Sequence, residues 1–196
     1  MSDDWKAAWQ PLIDMVGQDI GSTETAWGSD AVEPGAVRRY LEPLEFDCPL
    51  HYDRATAQAH GYSDIIAPYT SLATFTMPPL WIPGPAVFDS PMRDAQPATR
   101  SLRPPLPPEA PPFTAYFATD IEIDFLRPAS IGERLGRRGQ RLIRCLPKET
   151  KVGRGAFFTF EMDVVTTEDE VVARFRMGGY CYNPHRKADA ATEEPA

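Results

Sequence analysis

The sequence predicts an α+β fold in which helices come early and antiparallel strands come late. Three observations carry that prediction. Up to about residue 80 the apolar residues recur at helical spacing, whereas beyond residue 120 they alternate with polar ones. Between the two regimes lies a proline-rich stretch, residues 81–112, with too many prolines for a helix or a central strand.

Taken in order, residues 4–20 place Trp5, Ala8, Trp9, Leu12, Ile13 and Val16 on one helical stripe, with Ser2 or Asp3 available as a cap and Gly17 and Gly21 closing it. Residues 22–32 read as a loop or short strand, so 1–32 form a helix and linker ahead of a single domain over 33–184. A second helix opens at Glu33, with Pro34 in its favoured first turn and Val37, Tyr40, Leu41 and Leu44 inward. A turn over Asp47–His51 follows, then a short polar helix over Asp53–His60. Asp53 is placed to cap that helix, and His60 to meet its C-terminal end. Ala67-Pro68 then opens an apolar helix from Tyr69 through Met77 to Leu80. It is hydrophobic nearly all round, belongs inside, and is stopped by Pro78-Pro79.

Beyond the proline-rich stretch, Ile121, Ile123 and Phe125 alternate with Asp120, Glu122 and Asp124, the pattern of a half-buried strand. Leu142, Ile143 and Cys145 mark the next strand. Phe157–Val165 and Val171–Tyr182 flank Thr166–Glu170 as a hairpin. The tail, 185–196, has no large apolar residue and is expected to be disordered; His185 within it should be exposed.

The chain has 196 residues, 42% of them apolar and 24% charged, as in an ordinary globular domain. A net charge of −8 with no basic stripe argues against nucleic acid and anionic membranes as partners. Arg134, Arg137, Arg138, Arg141 and Arg144 are the one basic cluster, read as a solvated strand face or as a phosphate contact. Cys48, Cys145 and Cys181 form no CxxC pair and no zinc spacing, so reduced thiols in the cytoplasm are expected. The acidic N-terminus has no apolar run of a signal peptide, and no segment reaches the roughly 20 apolar residues of a membrane span.

The chemistry concentrates in Asp47–Phe75. Asp47 and His51 put a carboxylate and an imidazole in one turn, and an imidazole can exchange a proton near neutral pH. The helix that opens after Pro68 offers unpartnered N–H groups to an oxygen that gains negative charge. A histidine in an arbitrary turn is more often a packing residue. Asp47, Glu45 and Asp53 are its candidate partners.

The string Asp47-Cys48-Pro49-Leu50-His51, with Asp53, Ala57, Gly61-Tyr62 and Ile65-Ile66-Ala67-Pro68, resembles the MaoC-like hydratases and dehydratases of the hot-dog fold. It is most similar to the FAS1-like (MaoC N-terminal) dehydratase branch, where Ala-Pro begins the central helix. Ile121–Leu135 and Val152–Pro184 resemble the family's later strands. The resemblance implies an antiparallel sheet wrapped around a central helix. It implies a hydro-lyase subunit acting on a 2-enoyl or 3-hydroxyacyl thioester of coenzyme A or acyl-carrier protein, with no metal or redox cofactor.

Catalytic members carry Gly-Asp-x-Asn-Pro-x-His, with the acid five residues before the histidine. Here Phe46 holds the acid position, Glu45 the glycine position and Cys48 the asparagine position, while Asp47 stands one residue late. If this chain is catalytic, His51 is its base or acid and Asp47 the best available partner. It implies Pro68, Tyr69, Thr70 and Ser71 at the helix start, with Trp81 and Phe88, as substrate contacts. Trp81, Ile82, Val87, Phe88 and Met92 read equally as walls of an acyl pocket or as cover for a subunit seam. One hot-dog unit is half of a site in this family, so the partner is a second copy or a different MaoC-like chain. Two alternatives remain: a scaffold subunit that only shapes the acyl tunnel, and a thioesterase. The latter needs a carboxylate on the central helix, and Tyr69–Met77 has none.

Overall fold

The computed structural model describes residues 5–79, 81–86, 88, 91–92 and 106–185. The caps proposed at Ser2 and Asp3, the wall residue Val87, half of the proline-rich stretch and the tail beyond His185 lie outside the described residues. Five strands form one antiparallel sheet: β1 (Ala26–Trp27), β2 (Ala115–Phe125), β3 (Leu135–Thr150), β4 (Gly153–Thr166) and β5 (Val171–Pro184), in the order β1-β3-β4-β5-β2. The Thr166–Glu170 hairpin forms as expected: Asp169 takes the left-handed conformation (φ 66°) that a short polar side chain tolerates, and Thr166 N donates to Glu170 O at 3.0 Å.

Register decides which face of the sheet is apolar. Along β4, Ala156, Phe158, Phe160 and Val164 share one face and are buried. Opposite them in the register stand Leu142 of β3 and Ala173, Gly179 and Cys181 of β5. Glu161, Asp163, Arg174 and Arg176 occupy the other face, where they pair with one another. Register shifts interrupt β2 at 118/121, β3 at 138/141 and 142/144, and β4 at 164/165; such bulges strengthen twist and let a long sheet curl. Gly179 leaves open the space that the rings of Phe158 and Tyr116 fill, stacked 6.1 Å apart.

The apolar face is covered in two parts. Over one end lie α2 (Pro34–Leu41) and the central helix, through Val37, Leu41, Leu72 and Phe75 against Leu135, Val164, Ala173 and Phe175. Over the other lies the N-terminal segment, whose Trp9 and Leu12 pack on Leu142, Phe158 and Phe160. This is the sheet around a helix that the hot-dog resemblance implied.

Four elements differ from expectation. The first helix is only α1 (Gln10–Asp14), entered by a 3-10 turn at Ala7–Trp9. Residues 17–20 leave it to bond β3, with Gly17 N to Leu142 O at 2.7 Å and Ile20 N to Gln140 O at 3.0 Å, so Val16 is exposed. Leu44, expected inward, is 62% exposed. The central helix is a 3-10 turn, Tyr69–Ser71, followed by α4 (Leu72–Phe75). It stops before Pro78 because Pro78 has no N–H to give Thr74 and disfavours the helical conformation at Met77. The freed end is satisfied otherwise: Thr76 Oγ1 donates to Ala73 O at 3.1 Å and Arg137 Nε donates to Thr76 Oγ1 at 2.9 Å. Nor is this helix buried all round, since Tyr69, Thr70, Thr74 and Met77 are exposed. Finally, Ile121 and Phe125 are exposed although they share the apolar face, because β2 is the last strand of the sheet and lies at the margin of the covering elements.

Phe160 is 1% exposed at the centre of this packing. Phe160→Ala should lower unfolding free energy by about 3–5 kcal/mol, measured by urea denaturation. Asp19 ties the N-terminal segment to β3: its carboxylate accepts from Gln140 N at 2.8 Å and Gly21 N at 2.9 Å. The Gln140 bond, then the Gly21 bond, hold its carboxyl below the usual carboxylate range. A depressed folded pKa gives stability that is complete above the unfolded value and is lost as pH falls through the folded one. The stability gap between wild type and Asp19→Asn should therefore be present at pH 6 and narrow below about pH 4, in parallel denaturation series.

Candidate active site

Residues 45–52 are folded by local rules. Glu45 sits at φ 49°, ψ 36°, ending the 3-10 turn Glu42–Leu44. This left-handed conformation suits glycine, the residue the family motif places there. Cys48 is extended, as a residue before proline prefers, and Pro49–His51 make a further turn with His51 N donating to Cys48 O at 3.1 Å. Asp53 caps α3 (Arg54–Ala59), accepting from Thr56 N at 2.6 Å, and that bond lowers its pKa. It is thereby committed to the cap. His60 sits at the C-terminal end of α3, with Nδ1 2.9 Å from Thr56 O.

His51 is carried to the start of the central helix. Its Nδ1 is 2.7 Å from Ile66 O. A carbonyl only accepts, so Nδ1 bears the proton, and Nε2 of the neutral ring keeps its lone pair. The backbone is stitched on both sides: Ile66 N donates to Leu50 O at 3.2 Å, Ala67 N to Ala129 O at 2.7 Å, and Ile131 N to Ile65 O at 2.9 Å. The first of these bonds ties the His51 turn to the segment leading into Pro68, and the other two anchor that segment on Ala129 and Ile131.

The other site residues divide. Pro68 and Ser71 are buried, and the Ser71 hydroxyl donates to Pro68 O at 2.6 Å, so it serves the turn. The N–H groups of Tyr69 and Thr70 open the helix with no intrahelical acceptor. Tyr69 packs at 4.8 Å on Phe125, both facing outward. Asp47 is exposed, and among the described residues it makes no hydrogen bond or ion pair. Phe46 instead meets His51, ring centroids 5.7 Å apart, with Tyr52 Oη donating to Phe46 O at 2.8 Å. Trp81 is exposed, its indole N–H donating to Pro85 O at 3.0 Å, and Phe88 is half-buried.

Sequence reading missed Phe125 as a neighbour of this site, because no local pattern links it to Tyr69. The arginine cluster separates. Arg134 donates to Gly28 O, Arg138 pairs with Asp169, Arg141 with Glu161, and Arg137 lies beneath the central helix over the Phe175 ring at 4.6 Å, where burial lowers its pKa. A polar cleft of about 520 Å³ opens elsewhere, between Asp19, Ser22, Arg138 and Glu161, and shares no lining residue with His51 or the helix start. Among the described residues no group of three His, Cys, Asp or Glu side chains could hold a metal, and no helix is long and apolar enough to cross a membrane.

Comparison with known proteins decides the family. The sequence model of the FAS1-like, dehydratase domain region matches residues 16–175. The chain belongs to that family. This FAS1-like dehydratase chain is also 26% identical over 180 residues to a protein of Thermomonospora curvata named "Probable enoyl-CoA hydratase alpha subunit". The match takes in 92% of this chain and 53% of that relative, so the chain spans about half the length of the curated relative it matches. Among solved structures, the ChsH1-ChsH2 complex from Mycobacterium tuberculosis superposes with a TM-score of 0.61 at 18% identity, over 93% of this chain and 95% of that one. A MaoC-like dehydratase from Rhodospirillum rubrum gives 0.50 at 14% identity, over 85% and 95%. The fold is the hot-dog fold.

Glu45 carries a side chain in a conformation that costs an L-residue about 1 kcal/mol or more. Glu45→Gly should leave stability unchanged or raise it by up to about 1 kcal/mol, glycine's larger unfolded-state entropy offsetting part of the relief. A clear loss in thermal or urea denaturation would show that the backbone here is not strained.

Proposed function

We propose that this chain is one subunit of a hydro-lyase that interconverts 2-enoyl and 3-hydroxyacyl thioesters of coenzyme A or acyl-carrier protein in the cytoplasm, assembled with a second MaoC-like unit. The observation that carries the reading is the neighbour of His51: the phenyl ring of Phe46 stands against the imidazole where catalytic members have a carboxylate. Asp47 is turned to solvent, while Tyr69 and Phe125 present an open apolar surface beside the helix start. Such a chain shapes the acyl channel and leaves proton transfer to the other unit.

In the dehydration direction a base removes the proton from C2, an acid protonates the departing C3 hydroxyl, and the hydroxyl leaves as water as the C2–C3 double bond forms. Negative charge builds on the thioester oxygen during the first transfer. The free N–H groups of Tyr69 and Thr70 are donors suited to hold it.

A second reading has its own observation. His51 spends Nδ1 on Ile66 O, which leaves Nε2 to act as base or acid in this chain, with Asp47 as partner. One experiment separates the readings: hydration of a short and a bulky 2-enoyl-CoA by the chain alone and with a second MaoC-like chain, followed by loss of enoyl absorbance. The expected result is no turnover alone, turnover when assembled, and retention of rate within about threefold in assembled His51→Ala, since removal of a working acid or base costs about 10²–10⁴-fold. A collapse of rate in that variant would make His51 catalytic. Absence of turnover with any second unit would remove the hydro-lyase reading, and release of free thiol would point to a thioesterase.

A further inference from the structure

β2 is the last strand of the sheet, and among the described residues nothing pairs with its outer edge. The opposite edge is guarded. β1 pairs with Gly136 and Arg137, residues 17–20 bond β3 at Gln140 and Leu142, and Pro147, which has no N–H, interrupts what is left. β2 is therefore the edge left for another chain. Its two faces differ in kind. Ile121, Ile123 and Phe125 continue the apolar face, with Ile121 57% exposed. Asp120, Glu122 and Asp124 stand on the other face and are exposed.

Those carboxylates are under-neutralised. Arg176 meets Glu122 at 3.0 Å and Asp124 at 2.7 Å, and also bonds Glu161 at 2.9 Å, which Arg141 shares, so among the described residues one guanidinium is the ion-pair partner of both β2 carboxylates. Its neighbour Arg174 is paired with Asp163, and among the described residues the Asp120 carboxylate meets only the hydroxyl of Thr119. Residues directly opposite on antiparallel strands point to the same face. A register that lays Ile121–Phe125 of one copy along the same residues of another, apolar row on apolar row, sets acid opposite acid. Slipping it by one residue sets each acid opposite the apolar row instead.

We propose that the β2 edge rejects a second copy of this chain and selects a partner whose pairing strand is apolar on one face and carries Lys or Arg on the other, opposite Asp120, Glu122 and Asp124. This rests on the reading of the chain as half of an assembly and names the chemistry of the missing half.

The test needs no turnover. The whole chain is followed by sedimentation and by amide hydrogen exchange of residues 119–125 against protein concentration. Wild type at low salt should show exchange in β2 that does not change with concentration. The neutral triple variant Asp120→Asn, Glu122→Gln, Asp124→Asn should self-associate at least about tenfold more tightly and protect β2, because like charges set opposite one another oppose strand pairing. Wild type in about 1 M NaCl, where the screening length falls to about 3 Å, should move the same way. A reversed copy, with Lys at all three positions, should form a mixed dimer with wild type that neither forms alone.

Should the neutral variant fail to melt cooperatively, the salt series and the mixing decide. Protection of β2 in a low-salt wild-type dimer would overturn the proposal. So would a folded neutral variant that stays unprotected, or failure of both salt and mixing to protect β2. An assembly inert toward every enoyl thioester would remove the hydro-lyase reading and leave this one standing. An active homodimer joined at β2 would remove this one alone.

Discussion

One sheet with a single apolar face is the constraint on which everything else depends. The side-chain period of two sends Phe158, Phe160 and Val164 to one side of β4 and Glu161 and Asp163 to the other, so every covering element has one place to go. α2, the central helix and the N-terminal segment all dock there. At about 25 cal/mol per Å² of apolar area removed from water, burial of this face dominates the favourable side of folding. The helices are short and have little stability of their own. They are held by what they cover.

Charges secure the joints that this packing leaves open. Arg127 forms bonds to Glu133 at 2.8 Å and to Glu170 at 2.6 Å, joining the segment after β2 to the β4–β5 hairpin. The Glu170 bond first, then the Glu133 bond, push its pKa up, and the same contact lowers that of Glu170. Glu133 also accepts from Ser130 N at 2.8 Å, beside the residues that stitch Ile65–Ala67 in place. Arg137 works differently. It has no carboxylate partner among the described residues and instead donates to the C-terminal end of the central helix, where a cation suits the helix dipole.

The site is built from backbone more than from side chains. Bonds at Leu50, Ile66 and Ala129 bring the histidine turn and the helix start together, and only then does the His51 ring find Ile66 O. Such a frame tolerates change in the side chains it carries. Glu45 takes a left-handed conformation that suits the glycine of the family motif, and Phe46 at the acid position packs on the His51 ring.

Much of the fold was legible in local pattern. The strand runs Phe157–Val165 and Val171–Tyr182, the turn residues Thr166–Glu170, the Asp53 cap and the Pro34 helix start each follow from short-range chemistry and appear where expected. The lengths of helices were less legible, because helical spacing at Trp5–Val16 and Tyr69–Met77 does not reveal where a competing backbone partner waits, in Leu142 for one and in the diverted end near Arg137 for the other. Exposure of Ile121 and Phe125 was hidden for the same kind of reason: alternation tells which face a residue takes, and strand order tells whether that face is covered. The sequence alone determined the strand pattern, the turn that holds His51 and the presence of Phe46 at the acid position. Only the tertiary structure decided that Phe46 rather than Asp47 meets the imidazole and that Tyr69 meets Phe125. Those contacts join segments whose mutual geometry is set by bonds distant in sequence, and no local pattern encodes them.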